Sequence, residues 1–465
     1  MRIEKDSLGE KKVPKDAYYG IQSLRGKENF QISDLKEPAA FIYAFVKIKK
    51  AAALVNVELE VLDEKRSKAI VKAADEVLSG KYLDEFVIDV FQAGAGTSFN
   101  MNVNEVLANR ANEILGGKKG IYQYVHPNDH VNMAQSTNDA FPTAMRLSTL
   151  ALHAVATQAL DQLIQSLRKK GKAFLPIATT ARTHLQDAVP LRLGQVFEAY
   201  AVMLEKTKAR LETAKQVLHE INLGATAAGT GMNSHPHYAK KMAETLSQLT
   251  GFSLVNPKNF VEIAQSTADF AHYSSALKNL ALDITKLAND LRLLSSGPRT
   301  GLSEIKLPAV QPGSSIMPGK VNPVIAECTN MVCYQVIGCD AAVSYMSQAA
   351  QLQLNVMMPG IIFNLLFSLK IMTNMMTMLS ERCVTGITAN ETQCRKYFEE
   401  SLGLATALNP VIGYSRAAEV VKEAVRTETS ILKMIEQKKI LTKKEIETYL
   451  SIERLTQPGI LKKST

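Results

Sequence analysis

Leu277, Leu280, Ile284, Leu287, Leu291 and Leu294 recur at alternating intervals of three and four residues. That seam limits what the chain can become. An apolar stripe of this period belongs to a long amphipathic helix that must lay its length against other helices. Val196, Tyr200, Met203, Leu211, Ala214, Leu218 and Ile221 draw a similar stripe, with one break after Met203. Such text dominates from about Pro142 onward and predicts long helices in a near-parallel bundle, within the chain or across a subunit interface. Shorter helical patterns cover residues 39–62 and 64–79, and two more long ones cover 323–348 and 352–379. No run of alternating apolar and polar residues is long enough for a major sheet. The expected class is mainly α.

At 465 residues the chain exceeds one ordinary core, so two or three domains are expected. Changes of texture divide it into a mostly helical N-terminal segment (1–138), a central long-helix bundle (139–392) and a small helical C-terminal segment (393–465). The formal charge of +9 is spread among acids, with no arginine-rich block interleaved with aromatics. Nucleic acid is therefore a poor partner and a small anion a better one. The most apolar stretch, around residues 357–376, is interrupted by Pro359, Gly360, Asn364 and Lys370 and reads as a buried core helix rather than a membrane span. Cys328, Cys333, Cys339, Cys383 and Cys394 are odd in number and form no C-x-x-C pair. With no signal-peptide pattern at the N-terminus, this predicts reduced thiols in a cytoplasmic protein.

Polar blocks punctuate the helical text. Residues 92–98 (QAGAGTS) place Thr97 after two glycines that let a ligand approach the backbone, without the Lys-Ser/Thr of a phosphate loop. Residues 128–139 end in Ser136, Thr137 and Asn138, three neutral donors just before a helix expected to begin near Asp139 or Pro142. They suit an anion at a helix N-terminus, or Asn138 or Asp139 is simply an N-cap. No metal site is read here, and nothing in the chain calls for a cofactor. Thr183 and His184 lie in a fourth block with Gln186 and Asp187, though a lone histidine is more often structural. Residues 313–323 (GSSIMPGKVNP) join two helical stretches, and their glycines and prolines keep them out of either. Ser314, Ser315, Lys320 and Asn322 equip this loop for a small carboxylate, and the same composition suits a solvated linker.

The full string of residues 313–323 resembles the signature loop of the fumarase/aspartase superfamily, and the other blocks stand in that superfamily's order. The resemblance covers nearly the whole chain. The openings RIEKDSLG (2–9) and PKDAYYG (14–20), with QSTNDAFP (135–142), NLGATA (222–227) and LSSGPR (294–299), are similar to its aspartase branch. The resemblance implies a homotetramer of three-domain chains around a twenty-helix core, with each active site shared by three subunits. It also implies elimination across the Cα–Cβ bond of L-aspartate, giving fumarate and ammonia without a cofactor. Ser314 would be the base that takes the Cβ proton. Thr97, Ser136, Thr137 and Ser315 would hold the carboxylate that becomes the enediolate, and Lys320, Asn322 and Thr183 would clamp the other carboxylate. Asn138 and His184 would face the amino group, with Glu327 as charge partner of His184. The alternative is a fumarate hydratase acting on L-malate. Met358, Ala326 and Ala134 depart from the branch's usual Glu, Pro and Ser.

Overall fold

A computed structural model describes residues 1–460. A two-stranded antiparallel ribbon, β1 (Arg2–Asp6) and β2 (Gly9–Val13), opens the chain. Helices α1 (Ile21–Asn29), α2 (Ala39–Glu58), α3 (Glu64–Leu78) and α4 (Thr97–Ile114) follow. After α5 (Thr137–Ala173), a hairpin of β3 (Ala178–Thr183) and β4 (Gln186–Arg192) leads into α6 (Leu193–Ala214). Then come α7 (Tyr238–Thr250), α8 (Phe260–Gln265), α9 (Ala268–Leu294), β5 (Ile305–Lys306), α10 (Val324–Ser347), α11 (Met358–Arg382) and β6 (Thr388–Ala389). Short helices beginning with α12 (Glu391–Glu400) close the described residues. The mainly helical class is as expected, and every sheet among the described residues has two strands.

The α9 seam behaves as the spacing requires up to Leu294, which is half-buried at the helix end. Leu277, Leu280, Ile284, Leu287 and Leu291 of α9 are all buried. In α6 the break after Met203 is closed by residues outside the expected stripe: Phe197, Ala201, Leu204 and Thr207 are buried, whereas Met203 is half-buried. Helix α5 starts at Thr137, earlier than expected, and carries Pro142 in its second turn. Helix α11 is long and apolar enough to cross a membrane by composition. Its buried Ile361, Ile362, Leu365, Leu369, Met372, Met376 and Leu379 repeat at three and four residues, the pattern of a core helix. All five cysteines are free thiols, four of them buried.

The chain divides into two compact units. The first comprises Met1–Thr157, Ala209–Ala281 and Tyr334–Thr373. Its helices are tied by buried polar bridges: Arg146 reaches Asp269 at 2.8 Å, and His153 lies 3.0 Å from the Tyr273 hydroxyl and 2.9 Å from Glu212. Asp340 accepts from Ser274 and Lys278 at 2.8 and 2.6 Å. Such pairs cost desolvation, and their geometry fixes which helix faces meet. The second unit comprises Gln158–Lys208, Leu282–Cys333 and the chain from Asn374 onward. Lys208 bridges to Asp161 there at 2.6 Å, and the Tyr200 hydroxyl donates to Asp290 at 2.6 Å. Its C-terminal part has its own apolar cluster, including Phe398, Leu404, Leu408, Val420, Ile431 and Ile435.

Glu37, at the start of the first unit, is buried with one carboxylate oxygen unpartnered. Burial first, then the nearby charge of Asp89, push its carboxyl up to about 8. The folded protein thus keeps a proton that the unfolded chain releases near the ordinary glutamate value. Stability from this group is lost as pH rises through that window and is lowest above about 8. Glu37→Gln has no proton to lose. Its melting temperature should exceed the parent's by at least ~3 °C at pH 9, and the gap should close at pH 5. A gap independent of pH would show that the carboxyl does not titrate in this way.

Candidate active site

Thr97, Ser136, Thr137 and Asn138 fall in the first unit; Thr183, His184, Ser314, Ser315, Lys320, Asn322 and Glu327 fall in the second. In the first unit Thr97 is the exposed first residue of α4. The preceding Gly96 has φ of 83°, and a Cβ there would meet the Phe141 ring at 2.0 Å, so glycine alone fits. Phe41, Phe45, Phe99 and Phe141 pack edge-to-face or stacked beneath this corner, with centroids 5.1–5.6 Å apart. That aromatic floor joins the start of α4 to the start of α5.

A polar chain completes the joint. Asn100, one turn into α4, donates to the Thr137 hydroxyl at 3.1 Å. The Lys49 ammonium, fully buried on α2, donates to Asn100, Asn132 and Gln135 at 2.8–3.0 Å. Burial pushes this lysine down to about 7, against the pull of the Asp139 charge. Asp139 accepts Ser136 N–H at 2.9 Å through one oxygen, and Gly224 and Thr226 N–H at 3.0 and 2.9 Å through the other. Burial raises its carboxyl to about 7, while the three N–H donors and Lys49 favour the anion. Asp139 therefore does more than cap a helix: it fixes the Ser136–Asn138 turn against the small-residue connection at 223–231. Asn138 adds a 2.8 Å bond to the Ala227 carbonyl.

In the second unit Thr183 and His184 sit at the tip of the β3–β4 hairpin, an element the sequence reading lacked. Thr183 pairs with Gln186, leaving His184 and Leu185 as a two-residue turn with φ of 56° and 59°. Paired left-handed residues match the twist of the flanking strands, but L side chains bear a cost on the order of 1 kcal/mol each. Both residues are exposed. Behind the tip, the buried Glu304 carboxylate pairs with Arg182 at 3.1 Å and accepts from the Thr179 hydroxyl, so the hairpin is anchored to the residue that immediately precedes β5.

Within that loop Ser314 Oγ accepts N–H from Ile316 at 3.3 Å and from Met317 at 3.0 Å. The Asn322 amide donates to the Gly313 carbonyl. A Cβ at Gly313 would lie 2.1 Å from the Lys320 carbonyl, so the fold-back needs glycine. Lys320 and Asn322 line a cavity of about 550 Å³. Glu327 is in the first turn of α10, and among the described residues it makes no ion pair with His184. Of the unusual positions, Met358 is buried at the start of α11, Ala326 is buried in α10, and Ala134 has φ of 60°.

Lys49, Asn100 and Glu304 were not among the residues picked out from the sequence. The run FIYAFVKIKKAAAL holds three lysines, Lys47, Lys49 and Lys50, and its spacing does not mark Lys49 as the buried one.

Residues 9–338 match the family profile described as Lyase, and residues 404–457 match the Fumarase C C-terminus. The chain belongs to the lyase family of the fumarase/aspartase superfamily. Within it, the chain is 48% identical to the aspartate ammonia-lyase of Bacillus subtilis (strain 168), covering 99% of this chain and 97% of that one. It is also similar to a solved fumarate lyase:delta crystallin from Brucella melitensis, with TM-score 0.96, 49% identity and coverage of 98% and 100% of the two chains. A class II fumarase from Schistosoma mansoni superposes with TM-score 0.93 at 35% identity, covering 97% of this chain and 98% of that one.

Proposed function

We propose that the chain is a carbon–nitrogen lyase that reversibly deaminates L-aspartate to fumarate and ammonia. The observation that carries the substrate assignment is similarity, over almost the full length of both chains, to proteins named aspartate ammonia-lyase. Ser314 takes the Cβ proton, and the Ile316 and Met317 N–H groups aimed at its oxygen favour the alkoxide that a serine base requires. The resulting enediolate-like intermediate carries two negative charges on one former carboxylate. Thr97, Ser136, Thr137 and Ser315 supply fixed donors to it, which is where electrostatic catalysis acts most strongly. Lys320, Asn322 and Thr183 hold the other carboxylate and so set the orientation. Asn138 and His184 face the leaving amine, with Glu327 as the charge partner of His184.

The working form in this reading is a cytoplasmic homotetramer whose sites draw on three subunits. Support comes from α10, where Met331, Tyr334 and Tyr345 are 63%, 54% and 71% exposed along one helical stripe. The chain's division into segments 1–138, 139–392 and 393–465 belongs to the same proposal.

The test is fumarate absorbance from purified protein given L-aspartate or L-malate separately, with ammonia measured in parallel. Fumarate from aspartate with equal ammonia is the expected result. Fumarate from malate alone would make the chain a hydratase.

A further inference from the structure

Thr137 is buried at the first position of α5, and the direction of its hydroxyl proton decides what the group can do for an anion. A threonine hydroxyl has one proton to give and accepts through its lone pairs. Asn100 Nδ2 donates to the Thr137 oxygen at 3.1 Å and to Asn132 Oδ1 at 3.2 Å. A side-chain amide that turned over would present its oxygen instead and take the Thr137 proton. The surroundings forbid that exchange. The Lys49 ammonium offers donors alone and lies 2.8 Å from Asn100 Oδ1, so the amide oxygen must face Lys49 and the nitrogen must face Thr137. The same ammonium holds Asn132 and Gln135 by their oxygens at 3.0 and 2.9 Å. Asn132 then sends its nitrogen to the Gln135 carbonyl at 3.1 Å, and Gln135 sends its own to the Val131 and Met133 carbonyls at 3.2 Å. All three amides are thus oriented consistently by one cation. Among the described residues, no bond uses the Thr137 hydroxyl as a donor.

We propose that Asn100, its amide direction set by Lys49, is a positioning residue that keeps the Thr137 proton available to the ligand's carboxylate. Asn100 gives a bond to the Thr137 oxygen and takes none from it. The hydroxyl therefore meets the enediolate as a donor already oriented for the charge that develops there. The bond received from Asn100 also polarises the hydroxyl and strengthens the one it gives. This rests on the assignment of Thr137 to that carboxylate in the proposed reaction.

Asn100→Asp and Asn100→Ala, assayed with L-aspartate, separate this role from packing. The aspartyl side chain has the shape of asparagine's and sets a carboxylate against Lys49, so Asn100→Asp should fold and melt no lower than Asn100→Ala. Its second oxygen takes the Thr137 proton. Its kcat should fall about 10²-fold, the cost of one lost donor, with KM within about threefold. Alanine accepts nothing and leaves that proton free, so Asn100→Ala should lose about tenfold, the value of one neutral hydrogen bond. A residue that serves packing alone gives the opposite order, with alanine the worse variant. Thr137→Val should lose about 10²-fold by itself, and combined with Asn100→Asp it should lose no more, because both remove the same donor. This cycle decides the matter even where Asn100→Ala does not fold. An impaired Thr137→Val beside an unimpaired Asn100→Asp, or losses that multiply in the double variant, would overturn the proposal and leave the carboxylate assignment standing. Thr137→Val with the parent's kinetics would overturn that assignment and the proposal together.

Discussion

Ser314→Ala is expected to lower kcat for L-aspartate by roughly 10²–10⁴-fold, the range associated with losing a proton-transfer group, while KM stays within about threefold. The hydroxyl's assigned task is proton abstraction, an interaction made as the reaction proceeds and not on binding. Carboxylate binding is assigned to other side chains, so substrate affinity should survive. The structural loss is small, since Ser314 Oγ merely accepts two N–H bonds from Ile316 and Met317 in a loop where water can replace it. An unchanged melting temperature beside the lost turnover would separate chemistry from folding. Turnover close to the parent's would require another base, and Ser314 would be left as a turn residue.

Asp139→Asn should produce the largest combined loss of stability and activity. The carboxylate accepts three backbone N–H groups, one from Ser136 and two from Gly224 and Thr226. An asparagine has one acceptor oxygen, so whichever way it turns, its NH₂ faces at least one N–H. Each buried donor left unmatched costs about 1–3 kcal/mol. The Lys49 ammonium also loses the negative charge that favours its protonated form. A total on the order of 3 kcal/mol corresponds, in a chain of this length, to a melting temperature lower by roughly 3–5 °C. The turn carrying Ser136, Thr137 and Asn138 would lose its anchor, and misplacing donors of this kind is expected to cost about 10²-fold in kcat/KM. Differential scanning calorimetry and steady-state assays on the same preparation check both halves. A variant with the parent's melting temperature and activity would show that the turn holds its shape without the carboxylate.

Much of the architecture follows from local order in the chain. The seam of α9 needs only its own three- and four-residue spacing to predict a buried stripe, and glycine–proline punctuation is enough to keep residues 313–323 out of any helix. The candidate residues are legible in the same way, because hydrogen-bonding side chains gathered in a loop between apolar helices stand out. The β3–β4 hairpin was not legible. Its turn is His184-Leu185 instead of the glycine or asparagine pair that usually marks one, and its strands carry Thr, Arg and Gln at positions with no clean alternation. In α6, Met203 is half-buried while Leu204 beside it is buried, because an apolar residue near the right phase is indistinguishable, in one dimension, from one that faces the core.

What the sequence by itself determined is the class of fold, the long-helix framework and the polar blocks that equip the candidate site. What only the tertiary structure decided is how those blocks are held. Lys49 is 51 residues from Asn100 and Asp139 is 85 residues from Gly224, yet each pair is in hydrogen-bond contact. The physical reason is that helical periodicity is written by neighbours within a few positions. The partner of a buried charge is chosen by packing, which brings together any two stretches whose surfaces fit and leaves no periodic trace in either one.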